Sequence, residues 1–261
     1  MKKLRLCVIG GGNMATAIVA GAVQRGVLTG AEIAVAEPNE ERWDRFLELG
    51  CRVVAKASGL PDCDHLLLAV KPQVFPEIAS DIRDQPAATV MSIMAGVRRD
   101  TIAKTLDAMA VVRLMPNLPC SIGVGATAIA AGSEPHDDLA REIFEAIGTV
   151  MTVDESVMDA VTAVSGSGPA YLFLLAEGMV AGAIKCGVDR ETAELLVQQT
   201  LLGAATMLST GHVSAENLRR AVTSPGGTTE AALAVLADGQ MLHAVTDAVI
   251  AARDRARSLS V

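Results

Sequence analysis

Aromatic side chains are scarce: the 261 residues include one Trp, one Tyr and four Phe. With 51% of residues hydrophobic the chain can fill substantial cores, and disorder is excluded. Those cores must be built from Ala, Val, Leu, Ile and Met, which suits helices packed at close range. Clustered cations are missing too. Lys and Arg total 22 against 30 Asp and Glu, a formal net charge of -8. Without basic patches to neutralise phosphates or aromatics to stack on bases, nucleic acid is excluded as a partner. No apolar run reaches the ~18 residues of a membrane span. The most apolar segment, "AYLFLLAEGMVAGAI", carries Glu177 and lies between Pro169 and Lys185, so no membrane anchor is expected. The start, "MKKLRLCVIGGGNMATA", has the basic end and apolar run of a signal peptide. Its glycines and Asn13 interrupt that run after roughly five residues, short of the ~7–15 required, so it reads as mature sequence. The five cysteines (Cys7, Cys51, Cys63, Cys120, Cys186) form no C-x-x-C pair and no cluster with histidine, so free thiols in a reducing cytoplasm and no metal site are expected.

From residue 4 to about residue 150, short β-rich runs alternate with helix-length segments: "LRLCVIG", "EIAVAE", "HLLLAV", "TVMSIM", "MAVVRLM" and "VGATAIAA". Runs this short and this apolar suit a mostly parallel sheet covered on both faces. Beyond about Asp154 they stop. Ala/Leu/Met segments follow, broken at "SGSGP", "KCGVDRE", "STGHVS" and "TSPGGTT", each break supplying a Gly terminator or a Ser/Thr/Asp cap. The expected organisation is an α/β dinucleotide-binding Rossmann domain over 1–155 and an all-α domain of four or five helices over 156–261.

"LCVIGGGNMATAI" sets Gly10, Gly12 and Ala15 in a G-x-G-x-x-A spacing after a predicted strand and at a helix start. Such glycines allow a tight turn and close approach of a pyrophosphate, which the helix N-terminus then stabilises. Glu37 ends the second predicted strand, about where a ribose-binding acid is expected. As a ribose acceptor it would repel a 2′-phosphate and favour NADH over NADPH, unless Arg42 swings in to reverse the preference. The bland alternative is a solvated Glu37 beside Pro38.

A second unusual stretch is "SPGGTTEAAL", from Ser224. Two adjacent glycines and Thr-Thr-Glu at a helix start offer the backbone N–H groups of Gly227 and Thr228 to a carboxylate, with the helix dipole in support. A plain helix cap is the competing account. The four histidines (His65, His136, His212, His243) stand at unrelated spacings in what read as loop or helix-surface contexts, and none is assigned a catalytic role.

Taken with the glycine turn, "LAVKPQ" (68–73), "SIMAGV" (92–97), "RLMPNLPC" (113–120), "SGSGPAY" (165–171) and "AVTSPGGTTEAAL" (221–233) resemble the Δ1-pyrroline-5-carboxylate reductases, in the family's order and over essentially the whole chain. One departure is visible: Leu118 stands where the family has a threonine. The resemblance implies a cytoplasmic enzyme that reduces the cyclic imine of pyrroline-5-carboxylate to L-proline with NADPH or NADH. It also implies a homodimer interlocked through the helical domain, with dimers assembling into rings of five. Implied substrate-binding residues are Ser224, Gly226, Gly227, Thr228 and Thr229, with Thr229 as the catalytic group at the ring nitrogen. Implied cofactor contacts are Gly10, Gly12, Asn13, Met14, Glu37, Ala69, Val70, Lys71, Pro72, Ala95 and Asn117. Two readings compete with the reductase. A β-hydroxyacid dehydrogenase needs a lysine acid/base in the helical domain, and the only lysine beyond residue 150 is Lys185. A non-catalytic dinucleotide sensor needs no imine-binding threonine. Glu177 is compatible with a buried place beside the site or with full exposure.

Overall fold

The computed structural model of the chain describes residues 3–83, 87–134 and 136–259. Strand β1 (Leu4–Ile9) shows why the first run forms a strand buried on both sides. Leu6 and Val8 point into one apolar cluster with Ile18, Phe46 and Phe144, while Cys7 and Ile9 point into another with Phe75, Ile82 and Ile102. The two-residue period of a strand makes both faces apolar only if the run is apolar throughout. β1 is followed by α1 (Asn13–Gln24), β2 (Ile33–Ala36), the short α2 (Asp44–Leu47), β3 (Arg52–Val54), β4 (Cys63–Leu68), α3 (Phe75–Ile82) and β5 (Thr89–Ser92). Then come α4 (Arg99–Leu106), β6 (Val111–Met115), β7 (Gly125–Ala130), α5 (Asp138–Ala146) and β8 (Gly148–Val153).

Among the described residues these strands make one 8-stranded sheet in the order β3-β2-β1-β4-β5-β6-β7-β8. Pairing is parallel except between β6 and β7. The order reverses between β1 and β4, and the carboxyl ends of these strands flank the crevice in which open α/β sheets bind ligands. Two strands were not among the expected runs. β3 is a three-residue edge strand and β8 an edge strand only half covered, so neither carries the continuous apolar run that marks the inner strands.

Past β8, α6 (Met158–Val161) runs into a wide turn in which the Ser167 N–H bonds the Thr162 carbonyl at 2.9 Å, an i→i+5 or π-type closure. Helices α7 (Gly168–Lys185), α8 (Arg190–Ser209), α9 (Ala215–Ala221), α10 (Thr228–Asp238) and α11 (Met241–Ser258) complete the chain. Two compact units result. One comprises 1–169 with 250–261, the other 170–249. The expected boundary at 155 therefore falls inside the first unit. The end of α11 belongs there because Ala256 is buried and Arg257 lies 3.9 Å from Asp159.

An ion network centred on buried Arg113 ties this region together. Glu155 accepts the Arg99 backbone N–H at 2.8 Å and its Nε at 3.2 Å, and Arg113 bridges Glu155 and Asp159 at 3.4 and 3.3 Å. The helical unit is different in kind. Within α7, α9 and α10 no residue is buried, and Leu172, Phe173, Leu174, Leu195 and Leu202 are each more than half exposed. Such a quantity of bare leucine and phenylalanine marks an interaction surface.

Candidate functional site

The cofactor candidates gather at the carboxyl edge of the sheet in the first unit. Gly10 lies at φ +95°, a conformation that favours glycine, and a Cβ there would meet the Ala69 carbonyl oxygen at 2.7 Å and Val70 Cγ1 at 2.9 Å. The glycine turn is thus pressed against the residues that follow β4. Gly12, the residue before α1, is open on the side where a Cβ would stand, and no side chain caps the helix. Uncapped first-turn N–H groups next to open space are what a pyrophosphate requires. Asn13 and Met14 begin the helix, with Asn13 exposed and its Oδ1 accepting from Arg45 at 3.3 Å. Lys71 is exposed and leads into the single turn of 3₁₀ helix Pro72–Val74. Ala95 follows β5, half-buried.

Glu37 does not follow the alternative reading. It is not solvated beside Pro38: the residue is 3% exposed. One carboxylate oxygen accepts the Gly11 N–H at 2.7 Å and the other the Asn39 N–H at 2.8 Å, while the Trp43 indole N–H donates to the Glu37 carbonyl at 2.8 Å. Arg42 reaches the same oxygen as Gly11, at 3.5 Å. The acid therefore clasps the glycine turn from beneath and already carries an arginine. No count of residues from the glycines reveals this, because it depends on a 3₁₀ turn (Glu40–Arg42) that folds Arg42 back over the strand end.

Asn117 also has a use that its motif did not disclose. Its Oδ1 accepts the Ala126 N–H at 2.9 Å and its Nδ2 donates to Ser165 Oγ at 3.2 Å. Leu118, in the place of the family's threonine, opens the 3₁₀ helix Leu118–Ile122 and is 47% exposed. The pairing of Asn117 with Ser165 brings "RLMPNLP" and "SGSGP" together, two motifs separated in sequence by 48 residues.

The substrate candidates lie together in the second unit, at the start of α10. Gly226 takes φ +69° and its N–H is held by the Glu230 carboxylate at 2.7 Å. The Gly227 N–H bonds the Ser224 carbonyl at 3.0 Å, closing a β-turn. This corrects the expectation that the Gly227 N–H is free for a carboxylate. The donors left open are those of the first helical turn, from Thr228 to Glu230, which no side chain caps. A Cβ on Gly227 would collide with Ser224 Oγ, so the glycine is required for the hydroxyl to sit inside the turn. Thr229 is half-buried, while Ser224 and Thr228 are exposed. The cap account and the anion account are thus both partly met: Glu230 closes the loop, and the helix end stays open.

Other candidates fall outside these groupings. Glu177 and Lys185 are exposed, the lysine ending α7. His65 is on β4, not in a loop; its Nδ1 lies 3.2 Å from the Arg5 carbonyl, and burial holds its pKa below the ordinary value.

A parallel sheet with a glycine turn at its switch point, an open helix N-terminus and a buried acid beneath define a dinucleotide-binding oxidoreductase of Rossmann type. The comparisons with known proteins agree and go further. Residues 5–96 match a family described as NADP oxidoreductase, coenzyme F420-dependent, and residues 155–259 match one described as pyrroline-5-carboxylate reductase dimerisation. The chain is 39% identical to a pyrroline-5-carboxylate reductase of Synechocystis over 98% of both chains, and 35% identical to one of Arabidopsis thaliana over 97% of this chain and 94% of that one. Among solved structures, a pyrroline-5-carboxylate reductase of Coxiella burnetii superposes with a TM-score of 0.86 at 37% identity over 100% of both chains. That of Plasmodium falciparum with NADP bound gives 0.88 at 25% over 99% of both. The chain belongs to the pyrroline-5-carboxylate reductase family.

By length and composition the helical stretch Glu155–Lys185 would pass for a membrane span. It falls wholly within the residues that match the dimerisation family, so a second copy accounts for its bare apolar surface.

Proposed function

We propose that the chain reduces Δ1-pyrroline-5-carboxylate to L-proline with a nicotinamide cofactor, as a cytoplasmic homodimer. The observation that carries the substrate assignment is the start of α10: a hydroxyl-lined turn, an uncapped helix N-terminus and a half-buried Thr229 side by side. The substrate's carboxylate is held by the N–H groups of Thr228 and Thr229, where the helix dipole favours an anion. Ser224 adds a hydroxyl at the front of the turn. The Thr229 hydroxyl orients the imine nitrogen and, with a water, relays its proton.

The reduced nicotinamide, when bound, supplies the hydride. Gly10, Gly12, Asn13 and Met14 would hold its pyrophosphate, and Ala69 to Pro72 with Ala95 would line its path along the sheet edge. A protonated imine is electrophilic enough to accept hydride, so this chemistry calls for positioning in place of a metal or covalent nucleophile. NADH is the preferred cofactor in this reading, because a fixed Glu37 carboxylate beneath the ribose site disfavours a 2′-phosphate, while its pairing with Arg42 keeps the preference slight. The dimer forms through the helices of 155–259, and further assembly into a ring of five dimers completes the particle. The four buried thiols and exposed Cys186, all unpaired, fit a reducing compartment.

The test is oxidation of NADH and, separately, NADPH by purified protein supplied with chemically prepared pyrroline-5-carboxylate, followed by loss of the reduced-nicotinamide absorbance. Turnover with a higher kcat/KM for NADH is expected. Binding of both cofactors with no turnover of either would refute the substrate assignment, and a marked advantage for NADPH would refute the role given to Glu37.

A further inference from the structure

Asn117 carries the clearest function outside the machinery just described. A backbone N–H can only donate, so the Ala126 N–H at 2.9 Å fixes which end of the Asn117 amide is oxygen; the nitrogen must then face Ser165 Oγ, at 3.2 Å. The first bond spans the return from β6 to antiparallel β7. The second grips the π-type turn. That turn is also pressed on the strand end directly, since a Cβ on Gly166 would come within 2.7 Å of Met115 Cε. Just upstream, Arg113 of β6 holds Glu155 and Asp159. Strand β6 and the stretch 155–168 are therefore fastened at two levels, by charge at Arg113 and by the neutral Asn117–Ser165 bond nearer the carboxyl edge.

We propose that Asn117 and Ser165 form one positioning unit: Asn117 acts through Ser165 to hold the Ser165–Gly168 turn at the carboxyl edge of β6, and is not itself a ligand of the cofactor. The inference rests on the reductase reading for its effect on turnover. Ligands of open α/β sheets lie at that edge, and π-type turns recur at functional sites. A wall that shifts by about 1 Å there costs turnover by up to roughly a hundredfold, with no loss of the pyrophosphate grip at Gly12.

The variants are Ser165→Ala, Ser165→Thr, Asn117→Ala, which removes both amide bonds, and the double variant S165A/N117A; Asn117→Asp is unsuitable because the Ser165 hydroxyl can donate to the new carboxylate. Expected for S165A is a kcat lower by about tenfold with NADH affinity, read by fluorescence titration, within about twofold of the parent, and recovery of most of the loss in S165T. In the double variant the loss should be no greater than in the worse single one, as for two ends of one bond. Amide hydrogen exchange over 162–168 should rise in S165A and at least as much in N117A. Unchanged kcat and unchanged exchange in S165A, or losses that add in the double variant, would overturn the proposal. The exchange and NADH-binding measurements read the brace even in a protein that does not turn over pyrroline-5-carboxylate, so failure of the reductase reading and failure of the brace are told apart.

Discussion

Replacing Glu37 with Gln tests the clasp beneath the glycine turn. The carboxylate serves two backbone N–H groups with two different oxygens, Gly11 at 2.7 Å and Asn39 at 2.8 Å. Gln has one oxygen. In either orientation its NH₂ faces an N–H, leaving a buried donor unsatisfied at a cost of about 1–3 kcal/mol. The lost pairing with Arg42, whose side chain is 44% exposed, adds no more than about 1 kcal/mol. At roughly 2–4 °C per kcal/mol for a chain of this size, a total of about 1–4 kcal/mol means that E37Q should lower the midpoint of thermal unfolding by about 2–16 °C. Loosening the turn should weaken NADH binding by roughly tenfold, and removal of the charge should shift the NADPH:NADH ratio of kcat/KM towards NADPH. Differential scanning calorimetry, titration with NADH and steady-state kinetics with each cofactor give the three quantities. An unfolding midpoint within about 1 °C of the parent together with unchanged NADH affinity would show that the clasp contributes nothing.

Thr229→Ala should lower kcat by roughly a hundred- to a thousandfold while NADH titrations stay unchanged, the loss expected of one directed donor in the transition state; near-normal turnover would remove Thr229 from the mechanism. Gly227→Ala must push Ser224 out of its turn, so the KM for pyrroline-5-carboxylate should rise by roughly tenfold with the cofactor KM unmoved, as steady-state kinetics with each substrate varied would read. Burial pushes the Glu155 carboxyl up, but the backbone N–H and guanidinium of Arg99, helped by Arg113, outweigh it and hold the pKa below its ordinary 4.5. A carboxyl with a depressed folded-state pKa stabilises fully above its unfolded value and loses that stabilisation as pH falls through the folded one. Unfolding midpoints measured between about pH 6 and about pH 3 should therefore separate the parent from Glu155→Gln above pH 4.5 and converge below it, whereas parallel curves would deny the network its role.

What the sequence disclosed and what it withheld divide along physical lines. Strands β1, β2, β4, β5, β6 and β7 were legible because both faces are covered and the runs are apolar. Edge strands β3 and β8 face water on part of their length and lack that signature. The glycine turn was legible from its spacing between a strand and a helix start, and the positive φ and close packing at Gly10 give the physical reason for one of its glycines. The Glu37 clasp, the Asn117–Ser165 bond and the turn that occupies the Gly227 N–H were not. Each depends on which of several polar partners a side chain or N–H meets after the chain has turned, and no periodicity encodes that choice. The Arg113 network was missed for the same reason, its members being drawn from residues 99, 113, 155 and 159.

The leucine-rich helices described above have a kinetic meaning. Leu174 is 69% exposed, Val235 71% and Leu242 75%, and burying each such side chain is worth about 1.5–3 kcal/mol. For residues 170–249 that gain arrives only when two chains meet, so completion of this unit is a second-order event. Its melting temperature must rise with protein concentration, and dilution alone acts on it as a denaturant. The amount of this chain that is made thus helps decide whether any one copy finishes folding.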